Sequence, residues 1–314
     1  VTDIDTWSPT TYARNGDVEL AYDRLGQRGG TPLLLMMGLA ISRFWWPDGL
    51  CRALADEGFD VVRYDQRDTG SSTRFGESKR LGPWSMLLGP GPARYTAEDL
   101  VDDAVAVLDA VGWERAVVFG HSLGGIAAQR LALRRPERVR GLVTCDAPPS
   151  DASGPRALRY LRFGLVARLA VKKYPEGRDG DIAASLAVAK GLASPVNPCD
   201  EAAARARIER GLESGPRDMA GLSRQMHARW HGPRLSEVRT PTLVLHGEDD
   251  PLVRTSAARA VARAVRGAKL VVLDGVGHDL PPVAWRTVAE ETRRLVETDG
   301  VPGKDDPADE VTGR

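Results

Sequence analysis

The sequence predicts an α/β protein built on a doubly wound, mostly parallel sheet with an all-helical insertion between two core strands. Three observations carry this expectation. Short apolar runs alternate with longer amphipathic stretches over most of the chain. Several runs are apolar without a break, as strands covered on both faces must be. One long region, 149–237, shows helical patterns and no strand pattern.

The elements follow in order. VELAYDRLG (18–26) alternates like a half-buried strand, whereas PLLLMMG (32–38) is continuously apolar. WPDGLCRALADEG (46–58) has helical spacing and stops on glycine. FDVVRYD (59–65), RAVVFG (115–120), RVRGLVTCD (138–146), TPTLVLHG (240–247) and AKLVVLDG (268–275) supply further strands. Between them lie helical stretches at 96–112, 122–136, 254–267 and 283–300. The expected division is 1–148 for the first part of the core, 149–237 for a helical lid and 238–300 for the second part of the core. Residues 301–314, mixing Gly, Pro and acid without periodicity, read as a disordered tail. A Gly/Pro-rich excursion at 74–95 has the length of a functional loop.

Composition excludes several classes. Among 314 residues, 43 basic and 43 acidic side chains cancel, so no footprint for nucleic acid or an anionic membrane is visible. No run approaches the roughly 18 apolar residues of a membrane span, and the acidic start VTDIDTWSPT does not read as a secretory signal. Both features point to the cytoplasm. The three cysteines, Cys51, Cys145 and Cys199, lack metal-site spacing and are odd in number, so neither a zinc site nor a disulfide framework is expected. No cofactor or metal is expected, and the expected partner is a small-molecule substrate.

The chemistry is concentrated at Gly120-His121-Ser122-Leu123-Gly124, a G-x-S-x-G pattern with a strand before it and a helix after it. A serine on so tight a turn needs neighbours without side chains, because strand and helix backbones approach closely. The turn lifts the Ser122 hydroxyl above the sheet and sets it at a helix N-terminus, where negative charge is favoured. The competing reading is a glycine-rich turn with Ser122 as a helix cap.

A hydroxyl needs a base and an orienting acid, expected in the chain order Ser, acid, His. Of the five histidines, His278 falls in LDGVGHDLP after the last strand, where a loop side chain reaches back over the sheet, and is the candidate base. His121 adjoins the nucleophile but is expected to point elsewhere; His227 and His231 lie in the insertion, and His246 in or at the end of a strand. The acid should follow TPTLVLHG, where Glu248, Asp249 and Asp250 stand. Asp250 is preferred, Asp249 is the runner-up, and Asp146 after an earlier strand is a rarer position. A carboxylate here fixes the histidine tautomer and stabilises the imidazolium. The loop after PLLLMMG places the Leu39 amide to share an oxyanion with the Leu123 amide. Trp45, Trp46, Trp84 and Trp230 are candidate pocket walls, each with packing between insertion and core as the rival explanation. Asp65, Arg67 and Asp68 read as loop-shaping ion pairs.

These motifs, in this order, resemble the α/β-hydrolases over roughly residues 15–298. MGLAISRFWWPDGLCRALADEGFDVVRYDQRDTGSST is similar, in its WP helix and D-x-R-D-x-G-x-S turn, to the aclacinomycin methylesterase group of actinobacterial serine esterases. The resemblance implies an α/β-hydrolase fold and hydrolysis of a carboxylic ester of a moderately large apolar molecule through an acyl-enzyme. It also implies a tailoring role in natural-product biosynthesis. Serine at position 122 excludes relatives that require aspartate there, the haloalkane dehalogenases and most epoxide hydrolases. Two rival readings keep the scaffold: a non-hydrolytic cyclase or lyase acting on a polyketide-like molecule, and a non-catalytic ligand-binding module.

Overall fold

The computed structural model describes residues 6–25, 29–76, 94–228 and 230–297. The tail expected at 301–314, most of the 74–95 excursion and Trp84 lie outside them. The strands are β1 (Thr11–Asn15), β2 (Val18–Leu25), β3 (Thr31–Met36), β4 (Phe59–Tyr64), β5 (Ala116–His121), β6 (Val139–Cys145), β7 (Thr242–Gly247) and β8 (Lys269–Leu273). They form one sheet in the order β1-β2-β4-β3-β5-β6-β7-β8. From β4 to β8 every pairing is parallel; β2 runs antiparallel to β4, and β1 to β2.

Strand β3 shows why its sequence lacks alternation. Leu33 and Leu35 pack on one face of the sheet with Leu50 and Leu54 of α1 (Asp48–Asp56) and Val288 of α10 (Pro282–Glu297). Leu34 and Met36 pack on the other with Val101 and Leu108 of α2 (Ala97–Val111), Leu131 of α3 (Leu123–Arg134) and Val261 of α9 (Thr255–Ala264). Each fully buried Leu or Val contributes about 1.5–3 kcal/mol, so both faces of a central strand must be apolar. The edge strand β1 escaped the sequence reading because only Ala13 of TYARN is buried, too little pattern to register. Helix α2 starts on a reciprocal Thr96–Asp99 capping box and ends at Gly112, whose φ of 79° suits glycine.

Between β6 and β7 the described elements are helical: α4 (Gly154–Leu158), α5 (Gly164–Ala170), α6 (Arg178–Leu192), α7 (Glu201–Ser214) and α8 (Met219–His227), besides a short turn of 3-10 helix. Leu161 makes one isolated bridge to Val253. The insertion meets loops at the carboxyl ends of the core strands, through His278 N–H to Leu192 O at 2.8 Å and Ser71 Oγ to Ser214 O at 3.2 Å. That end is where ligands bind in open α/β sheets. No helix among the described residues is long and apolar enough to cross a membrane.

A buried ionic network braces the same end. Asp23 accepts from Arg63 Nε at 2.8 Å and Arg43 Nε at 3.2 Å, all three side chains being almost wholly buried. Arg43 also pairs with Asp65, and Arg63 with Asp48 at 2.9 Å. As the sequence suggested, Arg67 pairs with Asp103 at 2.6 Å and Asp68 with Arg224 at 2.7 Å. Removing one member of such a network strands its partners' charges. Asp23→Ala is therefore expected to cost about 3 kcal/mol of unfolding free energy, measured by urea denaturation against wild type.

Candidate active site

Strand β5 delivers Ser122 to the start of α3 with φ 56° and ψ −120°, a left-handed conformation that a side chain adopts only under constraint. The constraint is crowding. A Cβ on Gly120 would lie 2.1 Å from Gly124 O, and one on Gly124 would lie 2.0 Å from Met36 O. Only glycine lets β5, α3 and β3 approach this closely. The Ser122 side chain makes no capping bond to α3, so the helix-cap alternative does not hold. The Leu123 amide, first in the helix, has no acceptor within it.

His278 sits beside this turn. Its ring lies 4.9 Å, centroid to centroid, from that of His121, and its carbonyl accepts from His121 Nε2 at 3.1 Å. His278 Nδ1 donates to Asp250 Oδ2 at 2.7 Å, which leaves Nε2 outside that bond. Asp250 Oδ1 is occupied by the Leu252 and Val253 amides at 2.7 and 2.8 Å, so the carboxylate cannot turn away. Burial by itself would lower the His278 pKa; the Asp250 charge and hydrogen bond, with Asp146 and Asp279 adding, carry it above the ordinary 6.5. Of the other acids weighed, Asp249 is exposed and accepts from Ser194 Oγ at 2.6 Å, and Glu248 is exposed. The loop thus brings Asp250 to His278 and turns its neighbours outward.

Three groups that the sequence reading set aside complete the cluster. Asp146, at the end of β6 with φ 51°, is wholly buried. It accepts from the Gly247 amide at 2.9 Å and from Cys145 Sγ at 3.2 Å. His121 Nε2 lies 3.5 Å and His246 Nδ1 3.4 Å from its two oxygens. Burial would raise the Asp146 carboxyl, but the His121 hydrogen bond and the charges of His246 and His278 hold it well below the usual carboxylate range. His121 was expected to point elsewhere; in fact it packs on His278. Ligand-type atoms of His121, Asp146 and His278 converge within 4.8 Å, as do those of Asp146, His246 and Asp250. Two of these ring nitrogens are hydrogen-bonded, His278 Nδ1 to Asp250 and His246 Nε2 to Val253 O at 3.2 Å.

The loop after β3 runs past Ser122, so closely that a Cβ on Gly38 would lie 3.2 Å from the serine Cβ. Leu39 follows and lines a cavity of about 160 Å³ with Ile41, Trp45, Val188, Leu212 and Arg74. The tryptophans divide. Trp45 lines this cavity. Trp46 is completely buried, edge-on to Phe119 at 5.2 Å and His121 at 6.2 Å, and belongs to the core beneath the site. Trp230 packs with Phe75 and Ala228 and lines a separate open cleft with Arg130 and His231.

The backbone at position 122 makes a direct expectation. Ser122→Ala removes no cap and should change unfolding free energy by less than about 0.5 kcal/mol, where loss of a true cap costs about 1 kcal/mol. Ser122→Gly relieves the positive φ and should raise stability by about 1 kcal/mol. Urea unfolding of the three proteins reads both.

Comparison with known proteins places the fold in a family. The family described as alpha/beta hydrolase fold matches residues 31–283. Rhodomycin D methylesterase DauP of Streptomyces sp. strain C5 is 30% identical over 300 residues, covering 87% of this chain and 93% of that protein. Rhodomycin D methylesterase DnrP of Streptomyces peucetius is 31% identical over 302 residues, with 87% and 93% covered. A solved structure of a hydrolase from Pseudomonas aeruginosa PA01 superposes with a TM-score of 0.66 at 26% identity, covering 93% of this chain and 99% of that one. The chain belongs to the α/β-hydrolase fold family and is a hydrolase.

Proposed function

We propose that the protein is a serine esterase that cleaves the carboxylic ester of a moderately large apolar molecule through an acyl-enzyme. The observation that carries this reading is the Ser122 turn, a strained serine whose side chain does not cap its helix, beside a buried His278–Asp250 pair. Strain at such a position persists where the surrounding structure imposes it and function uses it.

In this reading Ser122 Oγ attacks the ester carbonyl while His278 Nε2 takes its proton. Asp250 holds the ring and stabilises the imidazolium. The carbonyl oxygen becomes an oxyanion facing the Leu39 and Leu123 amides. Collapse breaks the bond to the alcohol, which leaves with the proton from His278. Water then attacks the acyl-enzyme, giving its proton to His278, and the acid departs as the proton returns to Ser122. The base must be neutral to act, and the carboxylates around it favour its charged form.

The two Streptomyces relatives are methylesterases by name, which supports a methyl ester and a tailoring role. The cavity beside Leu39, about 160 Å³, is walled in part by Leu39, Ile41, Trp45, Val188 and Leu212, apolar side chains that suit part of such an ester. The bulk of the substrate would then lie along the insertion, which we propose acts as a lid.

Two measurements test the reading. Wild type should hydrolyse p-nitrophenyl butyrate and be labelled at Ser122 by a fluorophosphonate, whereas Ser122→Ala should lose about 10⁴-fold or more in kcat. An alanine variant with undiminished turnover sinks the mechanism. The acid limb of kcat/KM should have its midpoint on the alkaline side of 6.5, the ordinary histidine value. Asp250→Asn removes the charge that favours imidazolium, so the midpoint should fall and kcat should drop with it.

A further inference from the structure

We propose that Gln225, in the helical insertion, is a positioning residue for the oxyanion loop, and so couples closure of the insertion to transition-state stabilisation. The inference rests on the esterase reading above for its catalytic consequence. Its structural part stands on hydrogen bonds alone.

Gln225 lies in the last turn of α8 and is 2% exposed. An amide buried this deeply is tolerated where its polar atoms are used, and both ends of Gln225 are. Its Oε1 accepts from the Ala40 amide at 2.8 Å. Its Nε2 donates to Arg67 O at 2.8 Å and to Thr69 Oγ1 at 3.2 Å. One side chain therefore spans the loop after β3, the loop after β4 and the insertion.

The Ala40 bond matters because of where Ala40 stands. Its φ of 53° is left-handed, a conformation alanine resists, so the loop needs an external hold there. Three residues before Ala40, Met37 O accepts from Gln66 Nε2 of the loop after β4. Leu39 is thus bracketed, with Gln66 fixing the chain before it and Gln225 fixing the chain after it. An oxyanion donor acts only if its N–H is aimed before charge develops. Gln225 supplies half of that aim, from an element outside the core.

Arg224, the neighbouring residue, offers the control. It grips Asp68 through two bonds of 2.8 and 2.7 Å and so docks the same helix without touching the oxyanion loop. If docking alone mattered, loosening Arg224 and removing Gln225 would have equal effects.

The test uses the full chain with p-nitrophenyl butyrate as substrate and phenylboronic acid, which forms a tetrahedral serine adduct, as inhibitor. Gln225→Met should lower kcat/KM about tenfold to a hundredfold, with the loss in kcat and KM changed less than about threefold. Affinity for phenylboronic acid should fall by the same factor. Gln225→Glu keeps an acceptor for the Ala40 amide and should lose less; it also serves if the methionine variant does not fold. Arg224→Lys keeps the charge and should lose less than about threefold. Amide hydrogen exchange of the 37–42 segment should speed up in Gln225→Met and not in Arg224→Lys, whatever the reaction proves to be. A folded Gln225→Met enzyme within about twofold of wild type, with unchanged exchange, overturns the proposal. So does an Arg224→Lys loss equal to that of Gln225→Met. Failure of wild type itself to turn over the ester counts against the esterase reading, and hydrogen exchange then decides the clamp separately.

Discussion

The site depends on one packing constraint, the approach of β3, β5 and α3 at backbone distance. No Cβ fits at Gly120 or Gly124, and with both neighbours reduced to backbone the turn between them has no room to relax. Ser122 is forced to positive φ, at a cost of about 1–3 kcal/mol. The apolar layers on both faces of β3 and β5 offset this strain. Leu33 and Leu35 on one side and Leu34 and Met36 on the other are fully buried. A sheet covered on both faces is thus the condition for a strained residue at the carboxyl end of its central strand.

The second requirement is electrostatic. Buried charges are tolerated where they are paired and hydrogen-bonded, and this end of the sheet buries many. Asp146 and Asp250 sit among His121, His246 and His278, and every one of these five side chains faces an oppositely polar atom. Two carboxylates behind one imidazole bias it toward its charged form. The same polarity is what a base needs after it has taken a proton. Asp146 also donates rigidity, since its Oδ1 holds the Gly247 amide that starts the loop carrying Asp250.

Much of this was legible in the sequence, and the reasons are physical. The parallel core was readable because a strand buried on both faces must be apolar throughout, as PLLLMM is. The serine turn was readable because glycine is demanded on both sides of it. Asp250 and His278 were reached by chain order, and the structure brings those two together. The edge strand β1 was not readable, since one buried alanine leaves no periodicity. Trp46 was mistaken for a pocket wall because sequence position beside a functional loop does not say which way a ring points; it points into the core. His121 and His246 looked like bystanders for the same reason. Gln225 gave no signal at all. A lone glutamine in an amphipathic helix acquires its role only from partners more than 150 positions away in the chain.

That last failure says something about how this scaffold divides its tasks. The core positions Ser122, His278 and Asp250 by short, local means: a glycine turn and two loops that follow strands. The insertion adds holds that cross the fold. Leu192 O takes the His278 amide, Gln225 takes Ala40, and Arg224 takes Asp68. Each bond joins a helical segment of the insertion to a loop at the carboxyl end of the sheet. Phe163, Val166 and Val171 of the same insertion are exposed on its outer side. The insertion thus holds the core loops through a few deep polar contacts and leaves apolar side chains on its outer side.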